Sequence, residues 1–436
     1  MLPWAFLLLA ASCSNNDYVN AIPSESTALV SMNLSQVKGI NSRTVFKALL
    51  HASNMDNSGI ELSDNLYLFE APDGSLGLCA SVSDADDLQA VLEQGGKKVV
   101  SRRGARFCAL SDSWVAAFSD NCLLVMGPVT PAAQQEQLVK MARYLEQDEE
   151  KGIKASRLYE VMDTIKAPIA LVCQAQALPE RFIAPFTLGT PANSDPSQVM
   201  ISAKMQVEKG CLKILGHTFS FNQKLDLALK EAAKTYRPIQ GKYLPTIDNT
   251  SMMNLFMNVD GRLFIPLLQS NKGIQALLAG INAGIDMDNI IKSVDGDLVI
   301  GVPSMLDDNL SITMSAQLAD ASWLGDVDYW KQSAPAGSTI FDWGRQAYCY
   351  TDGKISFYFG VSADKQFYSG STKAKALASI HNSKNPLAAD IQQSIKGEKL
   401  AMLVNLDQSS EDKLNFLKTI LKPVMGEVHS ILYIYQ

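Results

Sequence analysis

Ser83-Asp84-Ala85-Asp86-Asp87-Leu88 follows an apolar run, residues 78–82. It is echoed 236 positions later by Ala319-Asp320-Ala321-Ser322-Trp323-Leu324, which follows residues 312–318. Each copy reads as a strand running into an aspartate that can accept hydrogen bonds from the first N–H groups of a helix. A helix is therefore expected at once, over 86–94 in one copy and 322–331 in the other. Beyond each helix lie two short apolar runs split by turn residues. Arg106-Phe107-Cys108-Ala109 and residues 114–118 flank Ser111-Asp112-Ser113, while Ala347-Tyr348-Cys349-Tyr350 and residues 354–358 flank Thr351-Asp352-Gly353. Both read as meander hairpins.

Working outward, the same correspondence continues in order. Residues 28–33 echo 253–258, with Asn33 and Asn258 225 apart; Ala48 and Ala276 are 228 apart, and Leu66 and Leu298 232 apart. Cys108 and Cys349 are 241 apart, and residues 169–172 match 401–404 at 232. The offsets rise as small loop insertions require, then fall where the first copy carries a longer helical region after Pro131. The expectation is α+β: two similar tandem halves, each a mainly antiparallel sheet with helices packed on one face. The boundaries read as a signal peptide at 1–12, a lipidated tether at 13–21, a first repeat at 22–236, a linker at 237–249 holding Pro238, Gly241 and Pro245, and a second repeat at 250–436. Residues 151–164 and 224–236 read as amphipathic helices. The second repeat ends on Ile431-Leu432-Tyr433-Ile434-Tyr435, which matches only the first strand of the hairpin at 199–218. An exposed apolar final strand is an aggregation hazard, so residues are expected to be missing there.

The chain begins Met-Leu-Pro-Trp-Ala-Phe-Leu-Leu-Leu-Ala-Ala-Ser-Cys. Twelve residues before Cys13 are too few for a bilayer span, which needs about 20. An apolar stretch, small residues and then a cysteine resemble a lipobox, in which cleavage precedes a cysteine carrying diacylglycerol. The match departs from the pattern at Ala10, where leucine is preferred, and no Lys or Arg precedes Lys38, which points to an N-terminus that lacks its first residues. The polar run Ser14-Asn15-Asn16-Asp17 follows as a tether.

Composition excludes more than it assigns. The 436 residues are 47% hydrophobic and carry a net charge of −7, so nothing forms the basic footprint that nucleic acid demands. Cys79, Cys108, Cys122, Cys173, Cys211 and Cys349 fall in apolar strand patterns with no CxxC pair and read as free core thiols; Cys108 and Cys122, in strands two apart in a meander, are the first pair to check for a disulfide. The four histidines are scattered, and no metal-ligand spacing occurs. The segment from Asn54 to Gly59 has the oxygens and glycine of a calcium loop, but Asn65 stands where a bidentate Glu is needed, so a polar turn explains it. Asp286 and Asp288 precede Ile290 and Ile291 and read as packing. Ser35–Lys38 and Ser410–Lys413 match SxxK without the companion motifs of that chemistry. Asp84, Asp86 and Asp87 are accounted for by capping and the helix dipole. No catalytic residue, cofactor or metal is expected.

Cys13, then Tyr18-Val19-Asn20-Ala21-Ile22-Pro23, Ala28-Leu29-Val30-Ser31-Met32 and the strand Gly296-Asp297-Leu298-Val299-Ile300-Gly301 resemble a family of uncharacterised lipoproteins from Bacteroidetes, over nearly the whole chain. That resemblance implies an outer-membrane envelope lipoprotein whose lipid sits on Cys13, with the leaflet open. The expected partners are the membrane, through the N-terminal lipid, and an envelope protein. The leading expectation is a non-enzymatic binding scaffold. The alternatives are a carrier of an apolar ligand, requiring a large apolar cavity, and a glycan or peptidoglycan hydrolase, requiring paired carboxylates in a cleft.

Lipidation is directly testable. Cys13→Ala, expressed in a native-like host, should move the protein out of the membrane fraction and abolish palmitate labelling. A variant that still sediments with membranes refutes the anchor.

Overall fold

The computed structural model describes residues 16–37, 40–52, 54–282, 284–302, 312–408, 422 and 425–436. The chain divides into two compact units, Met1–Glu160 and Val161–Gln436. The fold is α+β with mainly antiparallel sheet.

In the first unit, β1 (Ala28–Met32), β2 (Leu66–Glu70), β3 (Leu76–Ser81), β4 (Val100–Arg102), β5 (Ala105–Ala109), β6 (Val115–Phe118) and β7 (Cys122–Gly127) pair antiparallel. Their spatial order is β1-β2-β3-β7-β6-β5-β4. The second unit contains β8 (Ile169–Gln174), β9 (Met200–Glu208), β10 (Cys211–Phe219), β11 (Tyr236–Arg237), β12 (Met253–Asp260), β13 (Val294–Val302), β14 (Thr313–Leu318), β15 (Thr339–Gly344), β16 (Ala347–Thr351), β17 (Ser356–Val361), β18 (Gln366–Gly370), β19 (Leu400–Asn405) and β20 (Ser430–Tyr435). Within it, β12-β13-β14-β18-β17-β16-β15 reproduces the order of the first unit strand for strand. The order of sequence echoes is thus matched by an order of strands in space. The compact units divide at Glu160, earlier than the sequence period at 237–249, because β8, β9 and β10 group with the later strands.

The two aspartates singled out in the sequence sit at their expected junctions. Asp84 accepts from the N–H groups of Asp86 and Asp87 at 2.9 and 3.0 Å and starts the helix Ala85–Gln94. Gly59, with φ +67°, lies so close that an added Cβ would stand 1.9 Å from the Asp84 carbonyl oxygen. Asp320 accepts from Ser322 N–H at 3.0 Å. Its helix begins as a 3-10 stretch, Ser322–Asp326, before Val327–Ser333. Buried Trp323 stacks on Trp330 and lies against Phe359 and Phe367.

Three segments differ from the sequence reading. Residues 151–164 are a 3-10 turn, Ile153–Ala155, followed by a shorter helix, Arg157–Thr164. The segment 237–249 is packed, not a solvated linker: Ile239, Tyr243, Leu244 and Ile247 share a core with Phe256, Val299 and Leu432. The final strand has no exposed edge, because β20 pairs antiparallel with β19 and parallel with β10. The first copy's hairpin supplies the missing neighbour, a long-range pairing that local pattern does not reveal.

One buried charge holds the 237–249 segment. Asp297, opposite Asn258 on the neighbouring strand, accepts from the backbone N–H groups of Gln240, Gly241 and Lys242 at 2.8, 2.7 and 2.8 Å, and from the Asn258 amide at 3.0 Å. Asn258 in turn accepts from Arg237 Nε at 2.9 Å. Four donors spread the carboxylate's charge, which is how a group only 4% exposed remains affordable. The neighbouring Tyr243 phenol is pushed above its ordinary pKa by burial and by the Asp297 charge.

Asp297→Asn turns an NH2 group against backbone donors and should lower unfolding free energy by about 3 kcal/mol in urea titration. Asp295→Asn, which breaks only the exposed pair with Arg237 at 2.8 Å, should cost less than about 1 kcal/mol. Equal effects would contradict the role given to Asp297.

Candidate functional site

Cys13 lies outside the described residues. The described chain opens with a 3-10 helix, Asn16–Ala21, folded into the first unit rather than forming the tether expected over 13–21. Tyr18, Val19, Ala21 and Ile22 are buried. The Tyr18 hydroxyl donates to the Asn65 carbonyl at 2.7 Å, and burial raises its pKa. Asp17 pairs with Lys154 at 3.2 Å. Pro23 bridges to Gly152, and Ser24 N–H donates to the Lys151 carbonyl at 3.2 Å. A sequence signal for this docking existed. Tyr18-Val19 and Ile22 recur as Tyr243-Leu244 and Ile247, 225 positions on, and both sets are buried.

Beside this helix the first unit carries a cavity of about 320 Å³, lined by Asp17, Asn20, Cys122, Gln147, Asp148 and Glu149 among others. Acceptors dominate its walls. Asp148 Oδ1 already takes the Lys151 N–H at 3.2 Å. Among the described residues, eight buried side-chain N or O atoms lack a hydrogen-bond partner, and two of them, Asn20 Oδ1 and Gln147 Oε1, belong to residues lining this one cavity. An orphaned buried acceptor costs about 1–3 kcal/mol, and each of these oxygens has under 1 Å² of accessible surface, so it lies behind the cavity wall and not in it. Asn20 and Gln147 stand far apart in the chain, so no local pattern links them.

The second unit has an apolar pocket of about 20 Å³ among Phe186, Leu229, Tyr236, Leu400 and Tyr433. One water-sized group would fill it. Among the described residues no group of three or more His, Cys, Asp or Glu side chains converges as metal ligands. The calcium-like segment is a polar turn: Asn54 Oδ1 accepts from the Met55 and Asp56 N–H groups, and Asp56 pairs with Arg43 at 3.3 Å. Asp286 caps the helix Met287–Lys292, whose Ile290 and Ile291 are buried. Of the SxxK matches, Lys38, Ser410 and Lys413 lie outside the described residues; Ser35 donates to Asn33.

None of the six described cysteines is in a disulfide, and all are buried. Cys108 and Cys122 form no disulfide. Cys79 and Cys122 have Sγ atoms 3.7 Å apart, because β3 pairs with β7, whereas β6 separates Cys108's strand from β7. Burial pushes the Cys79 thiol well above its usual pKa, away from the reactive thiolate.

Duplicated strand order, mainly antiparallel sheet and a polar cavity beside an integrated N-terminal helix define an α+β protein. Residues 38–411 match the family described as a domain of unknown function (DUF4836), and the chain belongs to that family. No curated protein matches it. Among solved structures it is similar to TP0453: crystal form IV at 10% identity and TM-score 0.29, covering 44% of this chain and 76% of that one, and crystal form I at 8% and 0.26, covering 84% and 96%.

The N-terminal docking rests on close backbone approach at Gly152, where an added Cβ would stand 2.5 Å from Asn20 Cα. Gly152→Ala should destabilise the protein by about 1–3 kcal/mol in thermal unfolding. Gly325→Ala, where nothing lies within 4 Å, should be nearly neutral. An unchanged melt for Gly152→Ala would show that the helix is not fixed there.

Proposed function

We propose that the protein is a lipid-anchored envelope protein acting as a non-enzymatic binding scaffold, held at the outer membrane as its resemblance to Bacteroidetes lipoproteins implies. The carrying observation is how early the fold engages. Asp17 is already ion-paired and Tyr18 already buried, so at most about 14 Å of extended chain separates Cys13 from the folded body. A lipid there would hold the first unit, with its cavity, against the headgroup layer instead of on a long leash. Two acyl chains suffice for lasting attachment where one is marginal. No described helix is long and apolar enough to cross a membrane.

The apolar pocket of about 20 Å³ gives no support to a carrier, which needs roughly 300 Å³ or more. Several prominent aspartates serve as caps or ion-pair partners: Asp84 and Asp286 start helices, and Asp342 pairs with Lys331 at 2.9 Å. Crosslinking in the native envelope, followed by affinity recovery of the intact protein, should return a discrete envelope partner that is lost or much reduced for Cys13→Ala. Recovery of a stoichiometric apolar ligand, or glycan turnover by the purified protein, would overturn the scaffold reading.

A further inference from the structure

We infer that β15 is an association edge, at which two copies of this chain pair antiparallel about a twofold axis centred on Phe341. This goes beyond the scaffold reading and requires neither the lipid anchor nor another protein.

The demand for a neighbour comes from the backbone. β15 (Thr339–Gly344) ends the strand order of the second unit, beside β16. Among the described residues no other strand pairs with it, and no backbone group of residues 339–344 bonds outside that ladder. One side of the strand therefore presents N–H and C=O groups in the alternation that a further strand satisfies.

The duplicated order supplies an internal comparison. β4 (Val100–Arg102) holds the same terminal place in the first unit. That edge is three residues long, and Lys98, Arg102 and Arg103 stand exposed on and beside it. Shortness and charge both keep an edge from pairing. β15 has six residues, and its ladder irregularity falls at its far end, between Asp342 and Gly344. Phe341 is 44% exposed. The strand's one charge, Asp342, is already engaged: Lys331 Nζ stands 3.0 and 2.9 Å from its two oxygens. Two strands in equivalent places differ this much, so the open edge belongs to these residues and not to the fold.

The occupant follows from the order of side chains. Thr-Ile-Phe-Asp-Trp, residues 339–343, is self-complementary when run antiparallel against itself. Phe341 meets Phe341 of the second copy, Ile340 meets Asp342 and Thr339 meets Trp343, so no like charges oppose. Trp343 lies on the face of Phe341. Its ring stands 6.0 Å from that of Tyr358, which is reached from Phe341 through Cys349 across the ladder. Pairing thus brings Phe341 and Trp343 of both copies into one aromatic row that leaves water together. Each copy offers the same patch, so the contact closes at two chains.

Sedimentation of the full chain over a concentration series tests the edge, with Cys13→Ala present so that no lipid gathers the chain in micelles. A concentration-dependent dimer is expected. Phe341→Lys sets two ammonium groups against each other at the axis and should weaken the dimer about tenfold or more. Phe341→Thr keeps strand propensity and should weaken it in the same direction. Val100→Lys, on the β4 edge, should leave it unchanged. Thermal melts matching the parent show that the variants fold. Photo-crosslinking reads the register. Benzoylphenylalanine in place of Phe341 should join two copies through peptides containing residues 339–344; in place of Ile355, which is 47% exposed, it should not. A monomer throughout the series, a dimer indifferent to folded Phe341→Lys, or equal crosslinking from the two positions would each overturn the proposal. So would a monomer that crosslinks from position 341 to a different envelope protein, which would give the edge to that chain.

Discussion

A carboxylate taken out of water needs donors, and in the second unit the donors of Asp297 are the consecutive N–H groups of residues 240–242. That requirement fixes the path of the chain before β12. With those three amides clamped, Ile239, Tyr243, Leu244 and Ile247 enter the core and meet Phe256 of β12, Leu403 of β19 and Leu432 of β20. Arg237 and Asn258 extend the network across β12 to β11. The apolar core and the polar clamp are therefore mutually dependent. The core removes Asp297 from solvent, and the satisfied carboxylate keeps the backbone where the core needs it.

The first unit solves the same problem with other chemistry. At the position that echoes Asp297 stands Asn65, and what holds the preceding segment is a phenol, Tyr18, donating to the Asn65 carbonyl. Tyr18 and its counterpart Tyr243 are both buried, but the latter's hydroxyl has no partner. A shared strand order has thus been kept while its polar fastening diverged: a charge against backbone amides in one unit, a neutral hydroxyl in the other.

How much could be read in advance followed the range of the interaction. The helix starts at Asp84 and Asp320, the hairpins around residues 111–113 and 351–353, and the α+β class rest on neighbours a few residues apart, where alternation and capping leave a signature. The packing of residues 237–249, the Cys79–Cys122 contact and the two-sided pairing of the last strand share one cause. Each is decided by pairing between distant segments: Asp297 with 240–242, β3 with β7, and β10 with β20. A polar, Pro- and Gly-containing stretch looks solvated until its buried acceptor is known. The cavity beside Asn20 was invisible for the same reason, since its walls come from residues near 17–21, 121–122 and 145–149.

The parallel ladder between β10 and β20 joins residues 219 positions apart, Cys211 with Ser430. Until β20 has left the ribosome, β10 and β19 each lack a neighbour, and nine residues of local hairpin cannot stand in for it. Loop-closure entropy makes such a contact slow to form, so the second unit completes only after β20 has emerged, whereas the first unit holds no strand beyond β7 and can settle while translation continues. The molecule's order of assembly is therefore written into where one six-residue strand lies.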